Sequence, residues 1–273
     1  MTAPLLPGPL WLVGCGNMAG AMLAGWLAAG LDPAQITVIR PSGREAAPGV
    51  RVLDRFPEDE VPALVLLGFK PKTLDEVAPK LAPALDPRTI LISILAGVEQ
   101  ASLRARFDTP RTIVKAMPNL PVRLRKGITN LYSDSADTQA RELVGLLISA
   151  LGRAEWFDDE AQFALAGHLT AAAPAFLFRL VDALAAAAAE LGLPRERAIG
   201  LALGMAEGAG ALAAASEDGP TELARRIASP GGTTEAGLRI LDAKDGLRPL
   251  MLRSLAASLQ RGEEMARAAR RLS

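Results

Sequence analysis

Seven residues near the N-terminus constrain this chain more than any other stretch. Gly14-Cys15-Gly16-Asn17-Met18-Ala19-Gly20 lies between an apolar run, Leu10-Trp11-Leu12-Val13, and a helix-forming segment, Ala21–Ala29, which Gly30 ends. Strand, glycine turn, helix is the context that gives the pattern Gly-x-Gly-x-x-(Gly/Ala) its meaning as a dinucleotide turn. Gly14 permits the sharp turn and Gly16 leaves backbone bare for a pyrophosphate. Ala19 or Gly20 lets the helix lie close on the strand, and Asn17 and Met18 sit within the turn as further cofactor contacts. Cys15 reads as a small spacer.

The pattern then repeats. Ile36–Ile39, Val50–Leu53, Ala63–Phe69, Thr89–Leu95 and Thr112–Met117 read as strands, with a helix over Lys72–Leu81. Strands alternating with helices imply a parallel, doubly wound sheet of Rossmann type, whose ligands lie beyond the carboxyl ends of the strands. Lys70 and Pro71, Ala96 and Gly97, and Pro118 and Asn119 therefore border the cofactor. Lys70 reads either as a phosphate or ribose contact or as a solvated surface lysine. Met117-Pro118-Asn119-Leu120-Pro121 reads either as a rigid loop presenting a carboxamide to nicotinamide or substrate, or as a turn after a strand. Gly127–Ser133 is expected as an edge strand, Ala136–Leu151 as a helix, and Ala154–Phe157 as the last strand.

Cofactor choice is written after the second strand. An Asp or Glu there would bond the ribose 2′-hydroxyl of NAD, but the chain reads Arg40-Pro41-Ser42-Gly43-Arg44. Two guanidinium groups and a hydroxyl suit a 2′-phosphate, so NADPH is expected over NADH. The alternative is that Arg40 and Arg44 are solvated loop charges.

From Asp158 onward every segment reads as helix. The expected division is residues 1–157 as the nucleotide-binding domain and 158–273 as an all-α domain. Ala173–Leu191 and Ala198–Ala215 are apolar nearly all round, which requires burial. Gly200, Gly204 and Gly208 at four-residue spacing would read in a membrane as a close-packing face. Arg195 and Arg197 just ahead, and small rather than bulky side chains, favour burial among helices and an oligomer interface instead.

The formal net charge of +0 argues against nucleic-acid binding. One Cys and one His exclude a Cys- or His-based metal site. No basic stretch precedes Leu10–Val13, so no secretion signal is expected and a cytoplasmic location is.

One segment breaks the helical half. Ser229-Pro230-Gly231-Gly232-Thr233-Thr234 sets two glycines and three hydroxyls ahead of a helix over Glu235–Lys244. A helix N-terminus offers unpaired N–H groups and the positive dipole end, which suits a carboxylate. By itself the segment also reads as a capped turn with Thr233 or Thr234 as N-cap.

In this order the motifs resemble the pyrroline-5-carboxylate reductases. The resemblance rests on Gly14–Ala19, Phe69-Lys70-Pro71, Ile92–Val98, Met117-Pro118-Asn119 and, above all, Ser229–Thr234 with Ala236-Gly237-Leu238. It implies a Rossmann domain, a helical dimerisation domain that interleaves with a partner, NAD(P)H as hydride donor and a cyclic imine as substrate. It places the substrate carboxylate on Ser229, Gly231, Gly232, Thr233 and Thr234. Thr234 falls near the ring nitrogen as the catalytic candidate.

The chain departs from the family in one stretch. Where the family usually reads Leu-Ser-Gly-Ser-Gly-Pro-Ala-Tyr, this chain reads Leu169-Thr170-Ala171-Ala172-Ala173-Pro174-Ala175-Phe176. Ala adopts positive φ poorly, so the turn is expected to be more regular or held differently there. Thr170 and the single histidine, His168, are carried as substrate-side candidates. His168 also reads as a structural or interface histidine. Two other readings stand beside the reductase of pyrroline-5-carboxylate. One is an NADP-dependent reductase of another imine or of a carbonyl acid. The β-hydroxyacid dehydrogenases share the layout, but this chain offers Arg179 and no Lys on the corresponding helix. The other is a non-catalytic NADP-binding homologue.

Overall fold

The computed structural model describes residues 5–270. Four short apolar runs build the centre: β1 (Leu10–Val13), β2 (Ile36–Ile39), β4 (Leu64–Leu67) and β5 (Ile90–Ser93) are buried at every position. Runs buried on both faces are what a parallel sheet covered by helices requires. With β3 (Arg51–Leu53), β6 (Thr112–Pro118), β7 (Gly127–Tyr132) and β8 (Gly152–Phe157), they form one sheet in the order β3-β2-β1-β4-β5-β6-β7-β8. Val13 pairs with Ile39 on one side and Leu67 on the other. The order therefore reverses between β1 and β4, the place where doubly wound sheets bind ligands.

The expected edge strand is an inner one. β7 pairs antiparallel with β6 and parallel with β8, so β8 is the edge and the last two strands run against the first six. The 3-10 turn Leu120–Leu124 and left-handed Arg125 (φ 57°) return the chain beside β6 without a crossover helix.

Helices cover both faces. On one, α1 (Asn17–Ala28) and α4 (Thr138–Ser149) bury Met22, Leu23, Trp26, Val144, Leu147 and Ile148. Trp26 Nε1 donates to the Leu147 carbonyl at 2.8 Å, so its one polar atom is satisfied inside the core. On the other, α2 (Leu74–Leu81) and α3 (Gln100–Arg104) pack with Trp11, Val65 and Phe107.

Contacts divide the chain after Ala171, later than the compositional boundary at Asp158, and group the stretch from Leu259 with the sheet. The reason lies in α5 (Glu160–Gly167). Glu160 Oε1 accepts from Lys115 Nζ on β6 at 2.6 Å and from the Gln100 amide at 3.1 Å, and Phe163 is buried against the sheet. A methyl at Gly167 would lie 1.9 Å from Met117 Sδ, so only glycine lets α5 approach this closely. A π-helical turn (His168–Ala172) continues α5 into α6 (Ala173–Glu190).

The second unit holds α6, α7 (Arg195–Ala215), α8 (Pro220–Ile227), α9 (Thr233–Leu241) and the first part of α10 (Leu247–Arg270). α6 and α7 pair through Val181, Ala185, Ala198 and Ala202. The stretches Glu160–Glu190 and Arg195–Ala215 are long and apolar enough to cross a membrane by length and composition alone, and only 11% and 6% of the apolar 18-residue window in each is buried in the chain. Leu177, Phe178, Leu184, Leu201, Leu203 and Met205 stay exposed. The expected burial of the glycine face does not occur within this chain, since a methyl at Gly200, Gly204 or Gly208 meets nothing within 4 Å.

Gly25 on α1 tests the packing. A methyl there would lie 2.5 Å from the Val122 carbonyl oxygen and 2.6 Å from Leu151 Cδ2. Gly25→Ala gains helix propensity but meets backbone that cannot yield. A net loss of about 1–3 kcal/mol in urea unfolding is expected, and a stabilised variant would refute this packing.

Candidate functional site

The glycine turn is built as its sequence requires. Gly14 adopts φ 81°, where a side chain is strained, and a methyl there would lie 2.9 Å from the Phe69 amide nitrogen. Gly68 is as tightly placed, with a methyl falling 2.7 Å from Ala19 Cβ. Gly16 differs. It is the N-cap of α1 in extended backbone (φ −80°, ψ −165°), makes no side-chain cap, and a methyl on it would meet only the Gly68 carbonyl oxygen at 3.9 Å. The space over Gly16 is thus open, and no acidic residue lies in the first turn of α1. Asn17 and Met18 open the helix, Asn17 exposed and Met18 half-buried. Burial raises the Cys15 thiol pKa against the pull of Arg40, so the thiol stays protonated, as a spacer's should.

Arg40 is not a free charge. Its Nε donates to the Arg44 carbonyl at 2.9 Å and its Nη2 to the carbonyls of Arg44 and Glu45, closing the loop on itself. Ser42 and Arg44 lie exposed on that loop, and among the described residues neither side chain has a partner. Lys70 likewise holds its ammonium free, while its carbonyl accepts from Thr73 Oγ1 at 2.8 Å ahead of the 3-10 turn that Pro71 opens. Ala96 and Gly97 form an exposed turn after β5, with Gly97 at φ 75°.

Pro118 and Asn119 are buried rather than presented. Asn119 Oδ1 accepts from the Ile128 amide at 2.9 Å, and Nδ2 donates to the Thr170 carbonyl at 3.1 Å. The carboxamide therefore ties the loop after β6 to β7 and to the π turn. In that turn Thr170 Oγ1 donates to the Ala166 carbonyl at 3.1 Å and accepts from Asn130 Nδ2 at 2.9 Å. Ala171 and Ala172 lie in the π turn and Ala173 opens α6, so the alanines stay helical with no positive φ, but the turn is held as a π turn and not as regular α-helix. His168 packs on α10, where a methyl at Gly262 would lie 2.6 Å from the imidazole Cε1. Burial lowers its pKa, against the opposing charge of Glu263.

The hydroxyl-rich turn is exposed. Gly231 takes φ 72°, and Gly232, not a threonine, is the N-cap of α9, in extended backbone with no side-chain cap. That correction has a consequence. Thr233 and Thr234 fall in the first turn of the helix, and among the described residues their hydroxyls and that of Ser229 have no partner. Gly231 N–H donates to Glu235 Oε2 at 2.9 Å, so a carboxylate already occupies one donor of this turn.

Comparison with known proteins gives the family. A profile described as pyrroline-5-carboxylate reductase dimerisation matches residues 160–265, and one described as NADP oxidoreductase, coenzyme F420-dependent, matches residues 10–97. A pyrroline-5-carboxylate reductase of Pseudomonas aeruginosa is 39% identical over 93% of this chain and 95% of its own. The chain belongs to the pyrroline-5-carboxylate reductase family. A member from Synechocystis is 31% identical over 94% of this chain and 97% of its own. The solved reductase of Coxiella burnetii superposes with a TM-score of 0.87 at 29% identity, covering 95% of this chain and 99% of its own. That of Plasmodium falciparum, solved with NADP bound, shares the fold at a TM-score of 0.83 and 21% identity, over 96% of this chain and 100% of its own.

A dinucleotide fits the turn of this reductase. The bare backbone over Gly16 and the uncapped start of α1 offer space and donors for a pyrophosphate, which a Cβ at Gly16 would fill. Asn130 is the residue that sequence reasoning missed. It stands in β7 between Thr129 and Leu131 and carries no motif, and a carboxamide in a run expected as an edge strand gives no signal of its burial.

Gly16→Ala separates fold from function in this family member. The backbone angles suit alanine and nothing clashes, so thermal unfolding stays unchanged, while affinity for NADPH falls by about tenfold or more as the methyl enters the pyrophosphate's place. Fluorescence titration of NADPH decides this, and wild-type affinity would refute it. His168 gives a pH signature. Its folded pKa lies below the ordinary 6.5, so the unfolded chain takes up the proton first. Stability is full above about pH 6.5 and falls as pH drops through that value. Urea unfolding across the weakly acidic range reads the loss, and His168→Asn flattens it; an equal slope in the variant would show that other groups carry it.

Proposed function

We propose that this chain reduces 1-pyrroline-5-carboxylate to proline, with NADPH rather than NADH as hydride donor, as a cytoplasmic homodimer or larger assembly. One observation carries the reading: the turn Ser229–Thr234 holds three unpartnered hydroxyls at the uncapped N-terminus of α9, in a member of a family named for reducing a cyclic imine that bears a carboxylate. The N–H groups and the dipole of α9 bind that carboxylate. Thr234 holds the ring nitrogen by a hydrogen bond. The nicotinamide supplies the hydride to the imine carbon, and the nitrogen, protonated from solvent, becomes a secondary amine. Gly14, Gly16, Asn17, Met18 and Ala19 hold the pyrophosphate. Ser42 and Arg44 hold the 2′-phosphate on a loop that Arg40 closes, and Lys70, Pro71, Ala96 and Gly97 line the cofactor.

Self-association accounts for the uncovered helices. The exposed apolar residues of α6 and α7 and the bare glycine face of α7 fall inside the matched dimerisation profile. A second copy would bury them, which makes a lipid bilayer unnecessary.

The test is NADPH oxidation with pyrroline-5-carboxylate, compared with pyrroline-2-carboxylate and with NADH as donor. Thr234→Ala lowers kcat/KM on the preferred imine by about tenfold to a hundredfold and leaves NADPH affinity intact. NADPH binding without turnover of any imine would instead make the chain a non-catalytic homologue.

A further inference from the structure

The carbonyl and the hydroxyl of Thr170 are both held from the sheet. Asn119, at the end of β6, donates to its carbonyl, and Asn130, in the middle of β7, donates to its hydroxyl. Asn130 is 1% exposed, and burying a carboxamide in a sheet is costly unless its bonds matter. The residue it grips lies in the π turn His168–Ala172, which holds one more residue per turn than an α-helix and is less favourable by itself. Just before the turn, Gly167 is pinned by Met117. A return to α-helix would turn Thr170 itself by about 100° around the helix axis, away from its two partners.

We propose that Asn130 is a positioning residue for substrate binding: by fixing the Thr170 hydroxyl it holds the π turn, and so holds the wall of the substrate site that His168 and Thr170 belong to. Thr170 then serves as the lock of that wall, its hydroxyl engaged by Ala166 and Asn130. The inference rests on the proposed function together with the sequence reading that carries His168 and Thr170 as substrate-side residues.

Steady-state kinetics on the purified full chain test it, with pyrroline-5-carboxylate and NADPH. In Asn130→Ala and in Thr170→Val the KM for the imine rises about tenfold, while kcat and the NADPH dissociation constant stay within about twofold. The double variant is no worse than either single one, because both remove the same bond. A merely structural Asn130 would lower the unfolding temperature and leave the imine KM alone. That outcome, or additive losses in the double variant, overturns the proposal. Should Asn130→Ala fail to fold, Thr170→Ser against Thr170→Val decides: serine keeps the hydroxyl and recovers most of the loss, and equal KM values in the two overturn it. A wild-type chain inactive on every imine sinks the proposed function and this inference with it. An active wild type with an indifferent Asn130 sinks the inference alone.

Discussion

Everything in the nucleotide-binding half depends on how closely three backbone segments approach at the end of β1. Gly14 N–H donates to the Ile39 carbonyl and Gly68 N–H to the Val13 carbonyl, both at 2.8 Å, so β1 is continuous with β2 on one side and β4 on the other up to the turn itself. Neither Gly14 nor Gly68 has room for a methyl, and Ala19 presses on Gly68. The start of α1 is thereby set over the point where the sheet order reverses. The crevice at that point and the helix N-terminus that faces it are one construction.

A second seam carries the chain from sheet to helices. The loop after β6 reaches α5 and the π turn through Met117 against Gly167 and through Asn119 on the Thr170 carbonyl. The Lys115–Glu160 pair anchors the same helix about two turns earlier, with the lysine side chain only 13% exposed. Shape, charge and hydrogen bonding thus converge on residues 160–170. This is why the first helix of the compositional all-α half packs as part of the sheet unit.

Much of the fold was legible. β1, β2, β4 and β5 announced themselves because each is a short apolar run, and burial on both faces leaves little other composition open, while β3 and β6, which carry Arg51 and Lys115, were legible from their place in the strand–helix alternation. The role of β7 was not legible. Whether Gly127–Tyr132 sits at an edge depends on which side β8 joins, and that follows from the left-handed Arg125 and the return it makes, not from the strand's residues. The threonine cap failed for a related reason. Thr233 and Thr234 are good caps by type, but Gly231 in left-handed backbone lets the helix start one residue sooner, at Gly232.

The sequence by itself determined the class of ligand and the family, because glycines, prolines and hydroxyls at fixed spacing encode backbone shapes that few other residues can adopt. It also determined that α6 and α7 carry more apolar surface than one chain covers. Only the tertiary structure decided which polar groups are free. Arg40 and Asn119 stand in motifs as ligand contacts, yet both are bonded to the protein's own backbone, and Asn130 joins Asn119 on Thr170. The physical reason is that spacing along a chain fixes local conformation, whereas satisfying a buried donor or acceptor depends on what distant strands bring within 3 Å of it.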